Sequence, residues 1–243
     1  MKIDKEKCIA CKTCYPYCTV GAISMVTWDG GKKSEVNQEQ CVECGACLRS
    51  EVCPKDAIFM PELTWPREIR PYFANPHAGH WPGKEGAKPP PEIKLNDITG
   101  RIQEGITAVV IEVGRPGMST TFLEVQKVCR ALAAAGVEFD PGGPLTSLME
   151  DPRTGKIRED ILDERCLHVF IHFSVDDDTL RESLAALREV SGQIETVFSV
   201  GLSNRVGNEG AIPTLEIVHE MGLTELPQAK TNVGLGRLMG GGR

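Results

Sequence analysis

The stretch Cys8-Ile-Ala-Cys-Lys-Thr-Cys-Tyr-Pro-Tyr-Cys18 decides how the first part of this chain folds. Three of its cysteines follow one another at steps of three, and a fourth comes after three more spacer residues. A second run, Cys41-Val-Glu-Cys-Gly-Ala-Cys-Leu-Arg-Ser-Glu-Val-Cys53, repeats the pattern with five spacer residues before its last cysteine. Four thiolates spaced in this way can surround a cube of iron and sulfide. The two runs therefore predict two [4Fe–4S] clusters and, with them, one-electron chemistry.

The first run resembles that of bacterial-type two-cluster ferredoxins, and the resemblance extends over residues 1–60. In that family the fourth cysteine of each run binds the other cluster. The resemblance thus implies a cluster 1 held by Cys8, Cys11, Cys14 and Cys53. It implies a cluster 2 held by Cys18, Cys41, Cys44 and Cys47. The chain departs from the family pattern at Thr19, which stands where the family has proline, and in the longer second run. Neither departure removes a ligand.

The first 60 residues are also an internal repeat. The second run lies 33 residues after the first at its first three cysteines, and 35 residues after it at the fourth. Two residues are therefore inserted within 48–52. Short strands are expected around Met1–Ile3, Ile23–Trp28 and Ala57–Met60.

Zinc and disulfides are the alternatives for these cysteines. Structural zinc sites usually pair two Cys-x2-Cys units across a long spacer, and here a third thiolate would have no place in a tetrahedral site. The first residues, Met1–Lys7, contain no apolar signal segment, which disfavours an oxidising compartment and disulfides. No run approaches the roughly 18 apolar residues of a membrane span. We therefore expect a cytoplasmic protein.

The formal net charge of this 243-residue chain is −7. Residues 1–60 hold eight Lys and Arg against eight Asp and Glu, so the acidic excess lies beyond residue 60. Cluster thiolates add negative charge, which disfavours nucleic acid as a partner. The whole-chain charge favours a protein partner with a basic docking face.

Composition divides the chain into a cluster domain at 1–60, an arm at 61–100 and a third region at 101–243. The arm carries eight of the sixteen prolines, which disfavours helix or central strand there. It also carries four large aromatic residues, Trp65, Tyr72, Phe73 and Trp81. A pure linker would not need them, so we expect an extended arm that packs on this protein or on a partner.

The third region predicts an α+β fold. Strands are expected at Thr107–Val113, Val137–Phe139, Cys166–Phe173 and Ile194–Val200, and helices from the N-cap Ser119 to about Ala135, from Asp176–Asp178 to about Val190, and from near Pro213. Residues 141–164 form an irregular excursion. The order of elements is typical of the split βαβ, ferredoxin-like sandwich, whose name is unrelated to the clusters.

The segment Ile111–Gly117, followed by a helix, resembles the ligand turn of ACT-type regulatory domains, over roughly residues 105–202. The resemblance implies a small-molecule site bordered by Arg115 and Gly117. A related helix-on-sheet packing without a ligand site is the alternative.

Other candidate residues have simpler interpretations. His168 and His172 share one face of a predicted strand, but about 13 Å between them is too far for one metal ion. Cys129 and Cys166 fall within a helix and a strand, where free cysteine behaves as a small hydrophobe.

The chain contains complete cluster ligands and no convincing catalytic set. We therefore expect an electron-transfer subunit of a hetero-complex, which relays electrons to an oxidoreductase such as a flavin- or metal-containing protein. Whether the chain itself is an enzyme stays open.

Two alternatives remain. The segments Ala57–Pro66, Glu112–Gly117 and Lys230–Arg237 resemble the N-terminal region of 6-hydroxynicotinate reductase-type proteins of anaerobic metabolism. That resemblance implies electron input to a flavin held by another polypeptide. The other alternative is a regulator that senses redox state and a small molecule through an ACT-like domain.

Overall fold

The structure is a computed structural model that describes residues 1–78, 102–114, 118–205 and 211–226. Its fold is mixed α/β with small sheets. Two hydrophobic cores form within these residues. One is built from residues between Met1 and Ile58, and the other from residues between Ile69 and Ile217.

The N-terminal core lies beneath two small antiparallel sheets. Strand β1 (Lys2–Ile3) pairs with β4 (Ile58–Phe59), which brings the two ends of this segment together. Strands β2 (Ile23–Trp28) and β3 (Gly31–Val36) form a hairpin, with positive φ at the intervening Asp29 and Gly30. That backbone conformation matches the twist of a tight hairpin, and it explains how the polar β3, which the sequence did not predict, becomes a strand.

A short helix, α1 (Ala46–Arg49), begins before the range 48–52 that contains the two-residue insertion, and it ends within that range. In the first repeat the corresponding residues are 13–16, and there only a single 3-10 turn forms, at Tyr15–Tyr17. The insertion therefore lengthens the link between the third and fourth cysteines of the second run.

The second core lies between helices and a three-stranded antiparallel sheet. Its strands are β10 (Val169–Val175), β5 (Thr107–Val113) and β11 (Phe198–Ser203), in that order. Helices α2 (Phe122–Ala134) and α3 (Asp177–Ser191) contact each other and contribute buried side chains to the core, which α4 (Pro213–Glu220) extends. Two short strand pairs also form: β6 (Thr120–Thr121) with β9 (Arg165–Cys166), and β7 (Met149–Asp151) with β8 (Lys156–Ile157). An isolated bridge joins Phe139 to Phe173.

Several predicted boundaries are wrong. The N-cap of α2 is Thr121, whose side chain accepts a hydrogen bond from the Glu124 amide, and not Ser119, whose φ is 60°. The strand expected at Cys166–Phe173 is two strands, separated at residues 167–168. The strand expected at Val137–Phe139 is only the single bridge, and the last strand begins at Phe198. These ends depend on which partner strand supplies hydrogen bonds, which local sequence does not specify.

The described part of the arm is not fully extended, because Arg67–Phe73 forms a 3-10 helix. This helix accommodates Pro71, whose carbonyl accepts from the Ala74 amide although its own nitrogen cannot donate. Ile69 is fully buried in the second core, and the Phe73 ring meets the Phe122 ring edge-on at 5.3 Å. This stretch of the arm therefore packs on the protein itself. Residues 79–101 lie outside the described residues.

Candidate iron–sulfur centres

The sequence repeat is also a repeat of backbone conformation. Ala10 and Lys12 in the first Cys-x2-Cys-x2-Cys loop have φ values of 60° and 65°. Glu43 and Gly45, 33 residues later, have φ values of 57° and 68°. Left-handed residues on both sides of the middle cysteine curl each loop tightly. Each loop can therefore direct its three thiols toward one centre.

Backbone hydrogen bonds anchor the two loops in the same way. The Cys8 amide donates to the Asp4 carbonyl and the Cys41 amide to the Asn37 carbonyl, both at 3.0 Å. The amides of Asp4 and Asn37 in turn donate to the carbonyls of residues 57 and 22, both at 2.7 Å. Each anchor therefore ties a loop to the segment that follows a fourth cysteine.

Cys8, Cys11, Cys14 and Cys53 line one cavity, together with apolar residues such as Ile3 and Ile58. The Ser34 amide donates to Sγ of Cys8 at 3.4 Å, and the Ala57 amide donates to Sγ of Cys53 at 3.2 Å. Amide donors of this kind stabilise thiolates and metal-bound sulfur. The cavity and its donors therefore fit a cluster ligated by four thiolates.

The remaining four cysteines form a second group, since the closest ionisable neighbours of the Cys47 thiol include Cys44, Cys18 and Cys41. The Ala22 amide donates to Sγ of Cys18 at 3.0 Å, as Ala57 does for Cys53. In the structure Cys8, Cys11, Cys14 and Cys53 thus line one cavity, and the charges of Cys18, Cys41 and Cys44 act on Cys47.

The pKa of the thiol differs among the cysteines of the two runs, and it is lowered at Cys8 and Cys11. At Cys8, burial acts to raise the pKa, but the combined hydrogen bonds of Ser34 and Ala10 and the charge of Lys33 leave it below its ordinary value. The hydroxyl of Thr13, 3.2 Å from Sγ of Cys11, lowers the pKa of that thiol.

Burial acts in the opposite direction on three interior thiols. It raises the pKa of Cys14 and of Cys41, and it raises the pKa of Cys47 to about 12. A thiol with a raised pKa still loses its proton when a cationic metal centre binds its sulfur. This donor set therefore suits bound iron.

Within the described residues, no group of three or more His, Cys, Asp or Glu side chains is arranged to hold a single metal ion. An iron–sulfur cube is larger than one ion and needs its four thiolates farther apart.

A buried network of charges covers the second loop, which carries Cys41 and Cys44. The carboxylate of Glu43 is fully buried, and it accepts from the N-terminal ammonium of Met1 and from the guanidinium of Arg67. The same ammonium lies 3.7 Å from Sγ of Cys41. Sequence reasoning missed this network, because its members are spread over residues 1–67.

Arg70 of the arm connects the loop to the second core. Its guanidinium donates to the Cys41 carbonyl at 2.7 Å and to the Gln38 carbonyl at 3.0 Å, and it forms a largely buried ion pair with Glu164. The guanidinium offers five donors in a fixed planar fork, a geometry that the three donors of a lysine ammonium do not reproduce. Arg70 therefore joins the cluster 2 loop to the segment before β9.

Gly45 shows how closely the arm approaches this loop. A Cβ at this position would lie 2.8 Å from the guanidinium of Arg49 and 3.5 Å from the amide nitrogen of Asn75. Arg49 donates to the Cys44 carbonyl at 2.6 Å and to Asn75 at 2.7 Å. A side chain at residue 45 would therefore displace the contact between loop and arm.

The other predicted site residues are not part of these centres. Arg115 and Gly117 lie outside the described residues. His168 lies 3.7 Å from the carboxylate of Glu112 on the sheet. Cys129 and Cys166 are fully buried in the second core, and burial raises the pKa of both thiols.

Comparisons with known proteins concern the cluster-bearing segment. The family model described as "4Fe-4S dicluster domain" matches residues 1–60. The pyruvate synthase subunit PorD of Thermotoga maritima is 43% identical over 58 residues, which are 24% of this chain and 54% of that protein. One subunit of an ion-translocating oxidoreductase complex of Methanosarcina acetivorans is 41% identical over 51 residues, 21% of this chain and 17% of that protein.

An uncharacterized ferredoxin of Methanocaldococcus jannaschii is 34% identical over 58 residues, which are 24% of this chain and 73% of the ferredoxin. The chain thus spans about half the length of PorD and a small part of the Methanosarcina protein. No solved structure matches this chain. None of the helices in the described residues has the length and hydropathy that crossing a bilayer requires.

Proposed function

Since the chain belongs through residues 1–60 to the 4Fe-4S dicluster domain family and carries two [4Fe–4S] clusters there, we propose that it relays single electrons to an oxidoreductase partner. The grouping of eight cysteines into two sets of four, each with amide donors on its sulfurs, carries this proposal. In the proposed ligand assignment, cluster 1 takes Cys8, Cys11, Cys14 and Cys53. Cluster 2 takes Cys18, Cys41, Cys44 and Cys47.

Each bound cluster would accept and release one electron. The protein's own contribution is to hold the thiolates, keep water from the interior ones and set the charge around them. Cys14 and Cys47 are buried, which limits the access of solvent to their sulfurs. Hydrogen bonds to sulfur and nearby charges, such as those of Lys33 and the Met1 ammonium, adjust the affinity for an electron.

We further propose that the chain works in a hetero-complex. The names of two relatives, a pyruvate synthase subunit and a subunit of an ion-translocating oxidoreductase complex, describe parts of larger assemblies. Free thiol ligands require a reducing compartment, so the cytoplasm is the proposed location.

Affinity purification from the native host under anaerobic conditions tests the relay. The expected result is a co-purifying oxidoreductase whose cofactor is reduced by the reduced chain. A purified chain that turns over a substrate with only an artificial electron donor would contradict the relay and indicate a self-contained enzyme.

The second candidate is the electron-input component of a 6-hydroxynicotinate reductase-type enzyme. It rests on three segments, Ala57–Pro66, Glu112–Gly117 and Lys230–Arg237, of which the third and part of the second lie outside the described residues. The partner in this version is a flavoprotein. Failure of the reduced chain to reduce any flavoprotein encoded beside it would exclude this version.

The third candidate assigns a sensing role to the region 101–243 and is supported by its strand order. The sheet order β10-β5-β11, with Phe139 bridged to the outer side of β10, fits a split βαβ sandwich of the ACT-like kind, with 61–100 as the connecting arm. The proposed ligand turn includes Arg115 and Gly117. Calorimetry of the intact chain against amino acids tests it, and no heat above background would exclude a sensor of amino acids.

A further inference from the structure

The two halves of the repeat differ in what covers their cysteine loops. In the second half, Val42 is 1% exposed and Glu43 is 0% exposed, because the arm and the N-terminus lie over them. At the equivalent position of the first half, Ile9 is 55% exposed. Since the two loops share their backbone conformation, this difference comes from the covering segments. One cluster edge is therefore shielded and the other is open.

The middle cysteine of each loop shows the same difference. Cys11 is exposed, whereas Cys44 is half-buried beside Arg49. Lys12 follows Cys11 and is exposed, and its counterpart is the buried Gly45, over which Arg49 and Asn75 close. An electron leaves a protein most readily where a ligand sulfur reaches the surface. That place is Cys11.

The charge at the open edge is positive. Lys12 and Lys55 line the cavity beside Cys11 and Cys53, and among its described lining residues there is no carboxylate. Lys33 adds a third cation, since its ammonium donates to the Cys8 carbonyl at 2.7 Å. The thiolates bring negative charge, but Lys12 and Lys55 are both exposed at the surface that an approaching molecule would meet. The acidic excess of the chain lies beyond residue 60.

We propose that this open edge, formed by Ile9, Lys12 and Lys55 around Cys11, is the docking surface for a redox protein that presents an acidic face. The exposed Ile9 supplies an apolar centre and the lysines a charged rim, which is the usual anatomy of a protein interface. Rim charges mainly change the association rate and its salt dependence. The local charge thus reverses the expectation of a basic partner drawn from the whole-chain charge.

The inference rests on the proposed electron relay and is tested by stopped-flow kinetics of the reduced, cluster-loaded chain. The acceptors are an acidic flavodoxin and, as the opposite charge, a basic cytochrome c. With flavodoxin the bimolecular rate falls as ionic strength rises, because salt screens the attraction. The variants Lys12→Glu and Lys55→Glu each slow flavodoxin reduction about tenfold at low salt. Neither slows the reduction of cytochrome c.

Arg153→Glu is the matched control, since Arg153 is exposed on the β7–β8 turn and the reversal changes net charge equally. This variant should reduce flavodoxin at a rate within about twofold of that of the parent chain. A redox titration of each variant by electron paramagnetic resonance separates docking from driving force. A negative charge introduced beside the ligands should lower the potential of the cluster, which increases the driving force for electron donation, so driving force does not explain a slower rate.

Three results would overturn the inference. One is a flavodoxin rate that responds to Lys12→Glu no more than to Arg153→Glu. Another is equal slowing with both proteins, which would indicate damage to cluster 1. The third is slowing with a small anionic quinone disulfonate but not with flavodoxin, which would assign the lysines to a small anion. If the parent chain reduces none of these acceptors, the electron relay itself fails.

Discussion

Replacing Arg70 with alanine is expected to destabilise the cluster-loaded chain more than any surface substitution. Arg70 is 6% exposed, it donates to the carbonyls of Cys41 and Gln38, and it pairs with the carboxylate of Glu164. Removing one partner of a buried ion pair costs about 3–5 kcal/mol, because the other charge is left buried and uncompensated. The loss falls on the cluster 2 loop and on the contact between the arm and the second core.

The assay is the rate of cluster release in guanidinium under anaerobic conditions, followed by visible absorbance. Each 1.4 kcal/mol corresponds to about tenfold. If about a third of this cost is felt in the transition state of release, Arg70→Ala accelerates release by about fivefold to fifteenfold. Arg70→Lys retains the positive charge but not the planar fork of donors, so its release rate should lie between those of Arg70→Ala and the parent chain. Arg181→Ala removes an exposed pair with Glu220 and should change the rate less than about threefold.

A double-mutant cycle with Glu164→Ala separates the contribution of the ion pair from that of the hydrogen bonds of Arg70 to the carbonyls of Cys41 and Gln38. If the two residues interact as the structure shows, the effects of Arg70→Ala and Glu164→Ala on the logarithm of the rate are not additive. Additive effects, or a release rate for Arg70→Ala equal to that of Arg181→Ala, would refute the assignment of Arg70 as the connection between the two cores.

Three further outcomes follow from local contacts. Thr121→Ala should lower the free energy of unfolding by about 1 kcal/mol through loss of the α2 N-cap, while Thr121→Ser should be nearly neutral, as measured by denaturant unfolding. Cys129 and Cys166 should resist iodoacetamide at pH 8 in the folded chain and react in denaturant, as read by mass spectrometry, because burial raises the pKa of both thiols. Hydrogen bonds from Arg158 and, to a smaller extent, from the Trp65 indole lower the pKa of Asp160, so Trp65→Phe should raise that pKa in a carboxyl NMR titration. A depressed pKa stabilises the fold above the ordinary pKa, and this stability is lost as pH falls through the folded pKa. In the variant the contribution should therefore be smaller, and its loss should be complete at a higher pH.

The cluster residues were predictable from sequence because their information is local. Cysteine spacing within each run predicts two clusters, whereas the assignment of each fourth cysteine to the cluster of the other run is implied by the ferredoxin resemblance and stays a prediction. The strands Ile23–Trp28 and Thr107–Val113 were predicted to the residue, since each is a continuous run with strand-forming side chains.

The surroundings of the clusters were not predictable, because they depend on contacts between distant segments. Nothing near Glu43 in sequence indicates that Met1 and Arg67 neutralise it, and nothing near Cys41 indicates Arg70. The exposure of Ile9 against the burial of Val42 likewise arises from where the arm folds. Two loops with one sequence pattern thus acquire different surfaces.

The most direct test of the two-cluster relay is a reductive titration of the anaerobically purified chain, monitored by electron paramagnetic resonance. We predict uptake of about two electrons per chain, with a fully reduced spectrum broadened by coupling between two neighbouring clusters. Uptake of about one electron, or zinc in place of iron, would contradict the account.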